Sequence, residues 1–448
     1  MKAFTTSALL ALAVAHVLPV SAIDIKRSRP AGWEGLVPGA RFMDRFDRAP
    51  ALVADKLTDA CWGGDNVKPR DIRNGVESPD YSYWGGNILE VDGVYHLFVA
   101  RWKESEPKGH MVWLKSEIAH CTSTRPDGDF KVVEVIGKGH NPELFRCKDG
   151  SWAVYCINDR WAAQLYRAKS VNGPWRCERM KLDLNGHKLI ETESNFSFCT
   201  RPDGSILAVC RGGGIWVSED GLKPFVQQTD RRVYPDVEGR FEDPVLWRDE
   251  VQYHIIVNDW YGRVAWYLTS PDGIRGWTVQ PGEAYTPGIA PNDWYKYERM
   301  RILQDAYGRI VQANFAVIDC VKPEDLGSDN HSSKNICLPV NPGRRITSLR
   351  LAKEGWEVRV ASEPGFDAAK DVDVGSLVFG PQTLVAFGQG LRALKAEARD
   401  GDLVLTFPCC DIDAPVVKLL GREKSGRLFF ATARTDGTSL GPVRPVNP

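Results

Sequence analysis

No excess of charge of either sign marks this chain: 57 Lys and Arg stand against 58 Asp and Glu, a formal net charge of -1 over 448 residues. No global field therefore draws it to nucleic acid or to an anionic membrane. Past the first 22 residues, no apolar run approaches the roughly 20 residues a spanning helix needs, which excludes a helical membrane domain in the mature chain. Eleven cysteines include no CxxC pair, so neither a zinc ribbon nor thiol redox chemistry is indicated, and metal ligands are assigned to no residue. A long helical period of apolar residues is also missing, as is the ligand pattern of a calcium loop. No cofactor is expected, and a calcium ion in an axial channel would have no sequence signature to support it.

Residues 1–22 have the form of a secretory signal, with Lys2 as the positive end, an apolar run from Leu9 to Val20, and small residues before Ile23. Export to an extracellular or periplasmic space is the expectation. The cysteine content fits an oxidising compartment, with an odd count that leaves at least one thiol unpaired. Residues 23–80 carry little periodicity and many charged and turn residues, with one short helix predicted across Ala49 to Ala60. They are expected to wrap the domain that follows.

From residue 81 to about 343 the texture is all-β: short runs rich in Val, Ile, Tyr, Phe and Trp, separated by turn signals such as Asp92-Gly93, Asp149-Gly150, Asp203-Gly204 and Asp272-Gly273. Five of these runs open alike, on a polar cluster leading into an apolar strand: Trp84-Gly85-Gly86-Asn87, His140-Asn141-Pro142-Glu143, Glu193-Ser194-Asn195, Glu242-Asp243-Pro244 and Glu298-Arg299. The successive intervals, Trp84 to His140, His140 to Glu193, Glu193 to Glu242 and Glu242 to Glu298, are 56, 53, 49 and 56 residues. A repeat of about 50 residues, each holding several short strands, is the signature of a propeller blade, and the count gives five blades. A β-sandwich with accidental spacing is the competing fold. Residues 344–448 lose the register but keep alternating strands, and a C-terminal β-sandwich-like domain packed on the propeller is expected. It carries no chemical constellation; covering propeller surface is its simplest role, with carbohydrate binding as the alternative.

In a propeller the first strand of each blade lines the axis, so the five entrances converge on one funnel. Asp80, Trp84, Asn87, His140, Asn141, Glu143, Asn195 and Arg299 are the expected substrate-binding residues, and Glu242, Asp243, Glu193 and Glu298 the expected catalytic ones. Glycoside hydrolysis needs one carboxyl group kept protonated for the leaving oxygen and another ionised, and crowded like charges push carboxyl pKa values apart. Glu242 or Asp243 would supply one, with Glu193 or Glu298 as partner; amides and Arg299 would hold hydroxyls, and Trp84 or Trp260 would stack on a sugar face. Each residue has a structural reading too. Acids before strands often cap turns, His140 suits a buried structural role, and Arg299 could serve only to pair Glu298.

At these entrances, about residues 80 to 340, the chain resembles the five-bladed propeller superfamily that includes glycoside hydrolase families 43, 62 and 117. The likeness lies in His140-Asn141-Pro142, Glu242-Asp243-Pro244, the Asp92-to-Phe98 hairpin and the Ser-x-Asp-Gly turns. It implies an exo-acting, inverting glycosidase of plant or algal polysaccharide fragments, with a carboxylate base, a tuning carboxylate and a separate acid. One departure matters: in the family 43 pattern an Asp opens the first blade as base, whereas Trp84-Gly85-Gly86-Asn87 holds no acid. Asp80 or another blade's carboxylate would have to serve. In family 117 a histidine can act as acid, which would give His140 that role. A non-catalytic carbohydrate-binding propeller is the alternative, and a polysaccharide lyase using His140 and Arg299 a more distant one.

Overall fold

A computed structural model describes residues 32–46, 73–191, 194–237, 241–259, 264–287, 294–329, 331 and 333–443. Residues 1–22, expected to form a secretory signal, the helix predicted at Ala49–Ala60, most of the 23–80 segment, Glu193 and Trp260 lie outside the described residues. Among the described residues no helix is long and apolar enough to cross a membrane. Their ten cysteines are all free thiols, seven of them buried.

Six sheets form, and five of them are the blades in chain order. Blade one runs Tyr81–Val91, Val94–Lys103, Glu117–Ser123 and Gly128–Lys138, with Gly75–Val76 added in parallel at its outer edge. Blade two runs Trp152–Ile157, Ala163–Ala168 and Arg176–Arg179 outward from His140–Arg146, and blade three builds on Ser197–Thr200. Phe241–Arg248 and Lys296–Gln304 are the inner strands of blades four and five. Neighbouring strands within each blade are antiparallel, apart from the short parallel additions to blades one and three.

The aromatics closing the Ser-x-Asp-Gly turns pack between blades. Trp175 of blade two lies edge-on to Phe98 of blade one at 5.3 Å, and Phe225 of blade three meets Phe145 of blade two at 6.3 Å. In the turns themselves the serine hydroxyl holds both ends: Ser270 Oγ donates to Arg275 O and accepts from Gly273 N, and Ser218 does the same with Lys223 O and Gly221 N.

The ring is closed by side-chain amides. Asn74 pairs its amide with both backbone groups of Cys337 on the outer strand of blade five, and Asn335 donates to Gly85 O on the inner strand of blade one. Residues 32–46 wrap the outside of blades four and five, where Trp33 meets Trp266, Phe42 meets Trp247 and Tyr267, and Phe46 meets Phe315.

The C-terminal region is one continuous seven-stranded sheet, in the order 372–381, 416–423, 428–434, 344–352, 355–360, 402–407, 395–399. It curls so that Val358, Val360 and Leu405 from one half share a core with Phe379, Leu419 and Phe429 from the other. Its last segment returns to the propeller, where the buried Arg248 donates to the carbonyls of Leu440, Gly441 and Pro442. A charged donor contributes about 1.5–3 kcal/mol per hydrogen bond at most. Arg248→Ala is therefore expected to destabilise the protein by about 2 kcal/mol and to open residues 440–443 to limited proteolysis. An unchanged melting temperature and digestion rate would show that the tail braces nothing.

Candidate active site

One backbone feature repeats at all five entrances. Gly85, Asn141, Asn195, Asp243 and Arg299 each adopt a left-handed conformation, with φ of 67°, 58°, 53°, 52° and 49°. In blades one, two, four and five this residue sits in a bulge where strand pairing slips, for example between Glu242 and Val245. Such a bulge bends the strand and turns a side chain toward the axis. Gly, Asn and Asp tolerate it; Arg299 does not by nature, and is held by its contacts. At Gly85 a Cβ would stand 3.3 Å from Arg299 Cβ, so the glycine makes room for that arginine.

Superposing the five bulges moves blade three by one residue. Ser194, not Glu193, is the equivalent of Glu242 and Glu298. Two residues beyond the left-handed position, blades one, two, three and five carry a polar residue that stitches to another blade, whereas blade four carries the apolar Val245. Asn87 Nδ2 and Oδ1 bond Leu144 O and N of blade two. Glu143 Oε1 accepts from Ser197 Oγ and Phe198 N of blade three, and Ser197 Oγ accepts from Leu246 N of blade four. Asn87 and Glu143 were expected to hold substrate; their polar groups are instead committed to the adjoining blade.

Blade five spans the axis. The guanidinium of Arg299, fully buried, donates to Asp243 Oδ1 of blade four at 3.0 Å and to Asn141 O of blade two at 3.1 Å. Below it Arg301 pairs with Glu143 of blade two at 2.6 Å and donates to Pro244 O of blade four. Burial and the neighbouring Arg299 bring the Arg301 pKa down to about 10. The two arginines divide the channel. Beneath them a cavity of about 650 Å³ is lined by Phe145, Cys147, Cys199, Leu246 and Leu303 among others; above them lies the funnel.

Three carboxylates gather in the funnel, in three electrostatic states. Asp243 is tied to Arg299. Glu298, almost fully buried, is gripped by two ammonium groups, Lys296 and Lys322, the latter at 2.6 Å. Burial alone would raise its pKa, but the two lysines hold it down to about 2. Among the described residues no lysine grips Glu242 in this way, and its one ion-pair contact is with Arg211, 4.0 Å away. Burial first, and then the charges of Asp243 and Glu298, push its carboxyl up to about 8. Its side chain remains 18% exposed, so it can be reached from the funnel. At neutral pH Glu242 is mainly a protonated acid beside two carboxylates, the separation of states expected when like charges crowd a desolvated site.

The two histidines at the funnel, His140 and His110, stay neutral. Burial, then Arg299 and Lys322, depress His140, whose Nδ1 meets Ser116 Oγ at 2.9 Å. His110 is depressed in the same way, by burial and then by Lys322. His140 is thus a neutral wall residue at neutral pH, unsuited to the proton-donating role the family 117 comparison gave it. Trp84, expected as a sugar platform, is only 2% exposed; His110 lies edge-on at 4.5 Å and the Lys322 ammonium sits 5.0 Å over its ring. Asp80 is exposed just before its strand, and its backbone bonds Ser78 and Glu104. Asn141 Nδ2 donates to Asn195 Oδ1 at 2.9 Å, joining blades two and three.

Lys296, Lys322, Arg211, His110 and Trp113 were not found from sequence. Lys322 and the helical turn Gly109–Lys115, which carries His110 and Trp113, come from loops outside the repeat. Among the described residues one group has potential metal-ligand atoms all within 4.8 Å of one another: Asp319, Cys320 and His331, in the loop after the second strand of blade five.

The fold and site therefore define a five-bladed propeller with an acidic, cation-braced funnel. No protein-family model matches the chain, and no curated protein matches its sequence. Solved structures do match. One is CoXyl43, a GH43 β-xylosidase/α-arabinofuranosidase from a compost microbial metagenome, with a TM-score of 0.41 at 12% identity, covering 61% of this chain and 93% of that one. A GH43_1 enzyme from Xanthomonas citri gives 0.40 at 14%, covering 63% and 91%. A putative glycosidase from Bacteroides thetaiotaomicron gives 0.44 at 11%, covering 68% and 99%.

Proposed function

We propose that this protein is an exported glycoside hydrolase that cleaves saccharides in the propeller funnel, with Glu242 as the general acid. The observation that carries the reading is the protonated Glu242, reachable from the funnel, beside the ionised Glu298 and the Asp243–Arg299 pair. A carboxyl group that holds its proton at neutral pH can give it to a departing glycosidic oxygen. Two fixed negative charges next to it suit the positive charge that develops on the sugar ring.

The reading extends to inverting chemistry. A retaining mechanism needs a free carboxylate nucleophile, and Glu298 is clamped by two ammonium groups while Asp243 is held by Arg299. Among the described residues neither is free to attack carbon, so water is the nucleophile in this reading, with the Glu298 carboxylate accepting the proton it loses as Glu242 gives its own to the leaving oxygen. The arginines across the axis give the funnel a floor, and a closed floor favours exo-acting cleavage from a chain end. Plant and algal oligosaccharides are the substrate class to test first.

The experiment is a panel of such oligosaccharides incubated with the full-length protein, with products separated by chromatography and their anomeric configuration followed by proton NMR from the first turnover. The expected result is release of a terminal sugar whose first-formed anomer is opposite to that of the bond cleaved. Retention would remove the water mechanism, and cleavage in mid-chain would remove the exo reading. If no glycoside were cleaved while sugars still bound, the non-catalytic carbohydrate-binding alternative would replace the hydrolase.

A further inference from the structure

A line of aromatic rings leads out of the funnel to the surface. It starts at Trp84 and His110, 4.5 Å apart, and crosses Trp102, which lies 5.3 Å from His110 and 6.4 Å from His140. Trp113 is 4.8 Å from His140, and Trp161 is 5.0 Å from Trp113 with its ring plane turned by 83°. All the inner members are wholly or partly buried. Trp161 is not: half of its surface is exposed.

The position of Trp161 is fixed by register. It sits on the hairpin joining Trp152–Ile157 to Ala163–Ala168, and Ile157 pairs with both His140 and Ala163. This hairpin is therefore on the same end of blade two as the entrance residue His140. The backbone around it is tightly held. Asn158 Oδ1 accepts from the amides of Arg160 and Ala162, and Asn158 O accepts from Trp161 N, each at 3.0 Å.

Trp161 itself has φ of 64°. That left-handed conformation strains a bulky residue, and strain of this kind concentrates at binding sites, where the surrounding structure imposes it. The fold thus holds an aromatic face rigidly at the rim, next to a ring that touches His140.

We infer that Trp161 is an outer sugar-binding platform, stacking on a pyranose or furanose ring of the substrate beyond the unit held next to Glu242. This rests on the hydrolase reading for the place of the scissile bond, but not for the binding itself. The apolar C–H face of a sugar ring matches an indole face, and a preformed platform binds without first paying to order a side chain. Trp113, edge-on behind it, sets the angle of the indole. The exposed Asp159 and Arg160 beside it offer polar partners for ring hydroxyls. The platform would favour longer oligosaccharides over the shortest ones.

The test uses full-length Glu242→Gln, which keeps the funnel without the acid proton, and the same protein with Trp161→Ala or Trp161→Phe added. Binding is measured by calorimetry on a length series of plant and algal oligosaccharides, chosen from those that bind Glu242→Gln on a glycan array. With Trp161→Ala, affinity for the longer members is expected to fall about tenfold, the size of loss an aromatic anchor commonly gives. Affinity for the shortest binding member and the melting temperature should not move, and Trp161→Phe should restore most of the loss. Equal affinity with and without Trp161 at every length would overturn the platform. An equal loss at every length would do the same, by placing Trp161 in the inner pocket. If no glycan bound Glu242→Gln, the platform and the hydrolase reading would fall together. Length-dependent loss in a protein whose wild type cleaves nothing would keep the platform and remove only the hydrolase.

Discussion

Glu242→Gln is expected to lower kcat/KM on an unactivated glycoside by about 10²- to 10⁴-fold, the usual contribution of a positioned general acid. The loss should shrink on aryl glycosides whose leaving group departs without a proton. The pH profile gives the sharper check. With its carboxyl pushed up to about 8, Glu242 is protonated over the neutral range and gives up its proton as pH rises through that value, so wild-type activity should fall on the alkaline side near pH 8. The residual activity of Glu242→Gln should show no such limb.

Stability must move with it. A glutamate raised from its ordinary value near 4.5 to about 8 on folding favours the fold fully only below pH 4.5, and that contribution is lost as pH rises through 8. Gln carries no charge to desolvate. Melting temperatures of the two proteins should therefore diverge between pH 5 and pH 9, with Glu242→Gln the more stable on the alkaline side. Parallel melting curves and an unmoved alkaline limb would together remove Glu242 as the acid.

Much of this architecture is legible in the chain. The repeat near 50 residues gives five blades, and the doublets Asn141-Pro142 and Asp243-Pro244 mark the bulges, because Asn and Asp are among the few residues that accept a left-handed backbone. What the repeat cannot give is anything that enters from outside it. The state of Glu298 is set by Lys296 and Lys322, and Lys322 sits in the loop after the second strand of blade five. His110 and Trp113 likewise come from a loop outside the repeat.

The direction of Glu242 and Asp243 had a simple local answer. Adjacent residues in a strand face opposite ways, and the bulge turns Asp243 into Arg299 and leaves Glu242 to the funnel. Blade three shows the limit of phase alone: without the backbone, Glu193 and Ser194 compete for one position. In the C-terminal region, alternating strands announced two packed faces. Only the pairing of Arg344–Ala352 with both Leu428–Arg434 and Gly355–Val360 shows one sheet curled on itself.

Glu143 separates structural from substrate-binding roles most clearly, because the two readings predict opposite readouts. As a sugar ligand its loss would raise KM in a protein of normal stability. Here its two oxygens hold Phe198 N and Ser197 on one side and Arg301 on the other, and the Arg301 side chain is only 2% exposed. Removing one partner of a buried ion pair leaves an uncompensated charge, at a cost of about 3–5 kcal/mol. Glu143→Ala is therefore expected to lose stability of that order, seen as a large drop in denaturant midpoint with unchanged slope.

Glu143→Leu combined with Arg301→Leu should recover much of that loss, since buried ion pairs replaced by apolar side chains are often near neutral. The shortfall from additivity in this double-mutant cycle measures the pair. The recovery should be incomplete, because the leucine still abandons Phe198 N. Glu143→Gln, which retains an acceptor for that amide but not the charge, isolates the ionic part. A Glu143→Ala protein with wild-type stability and a raised KM would return this residue to the sugar-binding set. It would also mean that the arginines crossing the axis do not need their acids to keep the funnel floored.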